Sequence, residues 1–122
     1  MAVDSYISDS RKYLICRVTE PVTMELIYVM IRQLNKLANE TGINSRLIDA
    51  RGMPNMLSVA ANYDLAYKDM DEMRIDRSTK VASLRLPGEG EDFATTAIKN
   101  AGFNLHSFVD EAEAIGWLES EE

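Results

Sequence analysis

The run Arg46-Leu47-Ile48-Asp49-Ala50 is short and aliphatic and breaks at Arg51-Gly52, the pattern of a strand covered on both faces. Its neighbours decide the fold. On the amino-terminal side, from Thr23 to about Glu40, Ile27, Met30, Ile31, Leu34, Leu37 and Ala38 recur at helical spacing, and Gly42 supplies the stop. On the other side Ser58 is placed to cap a second helix, in which Val59, Tyr63, Ala66, Met70 and Met73 fall on one stripe. A buried strand between two helices is the repeating unit of a parallel sheet, because parallel neighbours need a crossover.

Working outward, Tyr6 to Ser8 and Tyr13 to Val18 read as two strands joined by the polar turn Ser8-Asp9-Ser10-Arg11, with Leu14, Cys16 and Val18 on one face. Lys80 to Leu86 is the next strand, closed by Pro87 and Gly88. Phe93, Ala97, Ile98 and Ala101 form the inner stripe of a third helix that Gly102 ends, and Phe103 to Val109 alternates as a strand. Asp110, with Glu113 in a capping-box-like relation, opens a last helix that buries Ala114, Trp117 and Leu118. Residues 119–122 put acidic groups at the negative end of that helix, so a mobile tail is expected. The expected fold is α/β, a single domain over residues 1–122 in the order ββαβαβαβα, with a mixed, mainly parallel sheet and flanking helices.

Composition bounds the function. The chain has 122 residues, 46% hydrophobic and 27% charged, enough to bury a core without a metal or disulfide staple. Thirteen basic against twenty acidic residues give a net charge of −7, the wrong sign for releasing counterions from nucleic-acid phosphates or for adsorbing to anionic membranes. The longest unbroken apolar run, Leu26 to Ile31, spans six residues, against roughly 20 for a transmembrane segment. The amino-terminal stretch carries no pattern of a secretory signal, and the single cysteine, Cys16, forms no intrachain disulfide. A cytoplasmic location is expected.

The element order, with Leu47-Ile48-Asp49-Ala50-Arg51-Gly52 at the third strand's end and Phe108-Val109-Asp110-Glu111-Ala112-Glu113-Ala114-Ile115-Gly116-Trp117-Leu118 at the close, resembles the SpoIIAA-like family, a divergent branch of the STAS domains. The resemblance implies a STAS-like mixed sheet and a binding role without catalytic machinery. In the related anti-sigma factor antagonists the turn after the third strand looks like Asp-Ser-Ser-Gly, and a serine there accepts phosphate. This chain reads Asp49-Ala50-Arg51-Gly52-Met53, with no hydroxyl at either serine position, so that switch does not carry over. Ser58, nearby, reads as a helix cap.

Enzymatic readings find little material. Cys16 shares a face with Leu14 and Val18 and reads as a buried thiol, while His106, the only histidine, reads as ordinary strand surface. One cysteine and one histidine do not make a structural zinc site, and no cofactor is expected. In Gly88-Glu89-Gly90-Glu91-Asp92 the carboxylates would repel a phosphate, which makes this a capped loop. Asp49 and Arg51 are candidate contacts for an anion or a partner, because ligands of open α/β sheets gather beyond the carboxyl ends of strands. If Arg51 is merely solvated, replacing it with alanine should change stability by well under ~1 kcal/mol.

The first helix carries the strongest signal. Met24, Leu26, Ile27, Tyr28, Val29, Met30 and Ile31 place apolar groups around nearly its whole circumference, whereas one sheet face needs only a stripe. The seven methionines fall at Met1 or near the first two helices, at Met24, Met30, Met53, Met56, Met70 and Met73, and such side chains suit adaptable apolar surfaces. Met24, Tyr28, Ile31, Tyr63, Tyr67 and Met70 are therefore the expected binding residues. The expected occupant is a protein partner, a second copy of the chain included. The alternative is an apolar ligand or membrane lipid held between the first two helices, an idea favoured by the similarity of the STAS shape to that of lipid-exchange domains.

Overall fold

The computed structural model describes residues 2–90 and 93–120, Phe93 by its backbone alone. Strands β1 (Val3–Ile7) and β2 (Leu14–Val18) form the antiparallel hairpin, and β3 (Arg46–Asp49), β4 (Val81–Leu84) and β5 (Leu105–Phe108) add in parallel to give a sheet in the order β1-β2-β3-β4-β5. The hairpin turn is pinned by Ser8, whose backbone N–H donates to the Tyr13 carbonyl at 3.0 Å and whose Oγ accepts from the Tyr13 N–H at 3.3 Å. Arg11 takes a left-handed φ of 60° there. Helix α1 (Met24–Thr41) is capped by Thr23, which accepts from the Leu26 N–H, and ends at Gly42 with φ 75°. A second helical segment runs as α2 (Val59–Asp64), a π-helical turn (Leu65–Asp69) and α3 (Met70–Glu72), with Ser58 Oγ accepting from the Ala61 N–H at 3.1 Å. Helices α4 (Phe93–Asn100) and α5 (Glu111–Glu119) complete the chain, the latter capped by Asp110.

Because β2 to β5 lie side by side in chain order, right-handed crossovers carry every connecting helix to the same face. That face is crowded. Helix α1 covers β1 and β2 over Val3, Leu14, Cys16 and Val18, α4 covers β5, and the second helical segment packs against α4 instead of lying flat on the strands. The opposite face is left to α5, whose Ala114 and Leu118 bury Tyr13, Ile15, Leu47, Ala82 and Leu84. Lys80 closes this helix by donating from Nζ to the carbonyls of Trp117 and Ser120 at 3.0 and 2.9 Å. Of the tail expected to be mobile, Glu119 and Ser120 form this helix end, and residues 121–122 lie outside the described residues.

The expected stripe holds in its second half, where Ala66 and Met70 are buried and Met73 packs beside Met70, but its first half is rotated away. Val59 and Tyr63 are exposed, and the buried positions are Asn62, Leu65, Ala66 and Met70. The cause is a buried asparagine, 3% exposed. Asn62 Oδ1 accepts from Asn55 Nδ2 and its Nδ2 donates to the Ser58 carbonyl, each at 3.1 Å, so both ends of the amide are satisfied inside.

Candidate functional site: an apolar cavity beneath the first helix

The surplus of apolar circumference on α1 is split between two clusters. Leu26, Met30 and Leu34 face the hairpin side, and Ile27 and Ile31 turn to Leu65, Met70 and Phe103. Between these clusters lies a cavity of about 180 Å³, roofed by Leu65 and Met70, walled by Ile31 and Ile98, and floored by Ile48 and Ser83 of the sheet. Its size exceeds the apolar cavity of about 150 Å³ that accepts benzene in another protein. The π-helical turn at Leu65–Asp69 stands where the second segment closes over this space, and such turns recur at functional sites. At the carboxyl end of the sheet the linkers entering α1 and α2 are zipped together, the Val22 N–H donating to the Pro54 carbonyl and the Met56 N–H to the Val22 carbonyl, both at 2.8 Å.

Of the expected binding residues, Met24, Ile31 and Met70 join one cluster, and Ile31 and Met70 line the cavity. Tyr28 is half-buried. Tyr63 and Tyr67 stand apart, 50% and 52% exposed, with ring centroids 6.0 Å from each other. The groove expected to gather all these residues is thus divided into an interior part and an outer tyrosine face, because Asn62 turns the helix.

Asp49 and Arg51 have other work. Arg51 grips the Asp49 carboxylate with Nε and Nη2 at 2.9 and 2.8 Å, its backbone N–H reaches Oδ1 at 3.3 Å, and Nη2 also donates to Glu111 at 3.2 Å. Arg17 forms a second ion pair with Asp49 and donates from Nε to Tyr6 Oη at 2.8 Å. Burial pushes the Asp49 carboxyl up, but the Arg51 hydrogen bonds and the charges of Arg51 and Arg17 outweigh it and hold the group below its ordinary range. Two cations and two anions answer one another. The strand order has no reversal beside β3, so no switch-point crevice opens above these groups.

No protein-family model, curated protein or solved structure matches the chain. The chemistry must be read from its own residues.

Cys16 is fully buried, and burial raises its thiol pKa, which leaves it a poor nucleophile. His106 is exposed, with its ring 4.6 Å from that of Trp117. In the glycine-rich loop Glu89 accepts from the Leu86 N–H at 3.1 Å, while Glu91 and Asp92, which carried part of the capped-loop reading, lie outside the described residues, as does the Phe93 side chain. Among the described residues, no helix is long and apolar enough to cross a membrane. Sequence reasoning missed Leu65, Ile98 and Phe103 as cavity residues, since a helical stripe does not say which neighbour it meets. It also passed over Arg46, although a charged residue opening a strand read as buried on both faces was the signal.

Proposed function

We propose that this protein is a non-enzymatic binding domain whose site is the cavity between α1, the second helical segment and α4, and that it takes a small apolar ligand or the apolar part of a larger one. The observation that carries the reading is a space of about 180 Å³ with predominantly aliphatic walls. Its flexible thioethers, Met30 and Met70, let the lining adapt to a guest. The resemblance to the SpoIIAA-like family supports a binding role, and the neutralised Asp49–Arg51 corner supports a non-catalytic one. Titration with benzene and with 1-hexanol tests it, followed by the methyl NMR signals of Ile27, Ile31, Leu65 and Met70. Saturable shifts are expected in the wild type and should be lost in Ser83→Leu, which fills the floor. A wild type with no saturable shift overturns the proposal.

A second reading is favoured by the outer face of the second segment, where Met56 and Val59, each 62% exposed, accompany the stacked tyrosines. Apolar surface of this kind is better covered than wet, and a second copy of the chain is the simplest cover. Light scattering at several concentrations is expected to show a dimer that Tyr63→Glu dissociates; a monomer throughout removes this reading.

A further inference from the structure

Arg46 is the only buried charged side chain among the described residues, 6% exposed. Its Nε donates to the Asn44 carbonyl at 3.0 Å. Among the described residues no carboxylate forms an ion pair with it and no hydrogen bond links its Nη groups to the protein. Only Arg85 Nε is a sealed side-chain atom without a partner among those residues, so the Arg46 Nη groups keep access to solvent while most of the side chain is buried without a counter-charge, which is costly. Asp76 lines the same region, but its Oδ1 is held by the Ser78 N–H at 2.8 Å and the Ser78 hydroxyl at 2.7 Å. Burial pushes the Arg46 pKa down from its ordinary value, yet a guanidinium does not give up its proton in a protein.

The position of this charge is informative. Strand alternation puts Arg46 on the same face as Ile48, so it reaches the wall of the apolar cavity. It also lines a second, polar trough of about 650 Å³ along the amino-terminal edge of the strands, with Asn35, Asn39 and Thr79. Arg46 is therefore the cation, among the described residues, that lines both the apolar chamber and the wet one, with the Asp76 carboxylate, held by Ser78 and not ion-paired to it, lining both as well. With Nε occupied, the paired Nη groups remain, and two parallel N–H donors match the two oxygens of a carboxylate.

We propose that the ligand of the apolar cavity is a small amphiphilic carboxylate, a short alkyl or single-ring acid, whose head pairs with Arg46 and whose apolar part fills the space under Leu65 and Met70. The inference rests on the cavity reading above and names its ligand class. It predicts that a guest is chosen by its charge at one end and by its volume at the other.

Calorimetric titration of the full chain with hexanoate, 1-hexanol and acetate at neutral pH tests it. In the wild type hexanoate should bind at least about tenfold more tightly than 1-hexanol, a difference of about 1.4 kcal/mol, and acetate should bind far more weakly than either. Arg46→Met should abolish the preference for hexanoate and leave 1-hexanol binding within about twofold; if that variant does not fold, Arg46→Gln is measured with the same expectation. Equal binding of hexanoate and 1-hexanol, acetate binding as tightly as hexanoate, or a preference that survives the loss of Arg46 would each overturn the inference while the cavity reading stands. Failure of both six-carbon probes to bind the wild type overturns the two together.

Discussion

Two arginines of β3 and its turn, five residues apart in the chain, live under opposite conditions. Arg51, at the carboxyl end of the strand, is one-third exposed and shares two carboxylates, Asp49 and Glu111, with Arg17 in a group whose charges cancel. Arg46, at the amino end, is buried with one backbone carbonyl and, among the described residues, no ion-paired carboxylate. Charges that cancel within the chain are part of its architecture. A buried charge that no described residue neutralises is where we place the head of the proposed ligand.

The comparison can be broken most severely at Asp49. Asp49→Ala leaves Arg17 and Arg51 with only Glu111 between them and should lower stability by about 2 kcal/mol, less than for a fully buried pair because both arginines keep water contact; urea unfolding at neutral pH measures it. The same carboxylate sets a pH dependence. Its pKa is lower in the folded than in the unfolded chain, so its contribution is complete above the unfolded value and disappears as pH falls through the folded one. Stability measured between neutral and strongly acidic pH should thus fall less in Asp49→Asn than in the wild type.

At the other end the sign reverses. Arg46→Met removes a buried cation and supplies an apolar side chain of similar length, so the ligand-free protein should gain about 1–2 kcal/mol, read as a raised unfolding midpoint. A loss of stability instead would mean that Arg46 is structural. The smallest effect belongs to Arg51→Ala, expected to cost about 1 kcal/mol, since Arg17 still serves Asp49 and the lost side chain was partly in water. That is more than solvation alone would give.

Four strands and most helix ends could be read from the chain because each depends on neighbours within a few residues: Gly42 with its left-handed backbone, Ser58 and Asp110 as caps, Leu14, Cys16 and Val18 on one face. The first strand, expected at Tyr6 to Ser8, instead runs Val3–Ile7, set by its pairing with β2. The five-strand mixed α/β sheet followed from these local signals. The orientation of the second helix did not, because an asparagine counts as polar in any periodicity, and only the arrival of Asn55 allows Asn62 to be buried. The Asp49 cluster was half legible: Asp49 and Arg51 are two residues apart, but Arg17 and Glu111 reach them from 32 and 60 or more positions away, a coincidence the fold makes and no motif announces. Arg46 stood in plain view at the start of an aliphatic run; what could not be seen was that no acid among the described residues would pair with it.

The π-helical turn has one more implication. A wider turn accommodates one residue beyond α-helical regularity, and each α-helical residue advances the chain by about 100° around its axis. Deleting a single residue between Leu65 and Asp69 would restore regular winding and swing Val59–Asp64 around relative to Met70. The winding of this one turn thus sets which side chains of Val59–Asp64 face the chamber that Leu65 and Met70 line.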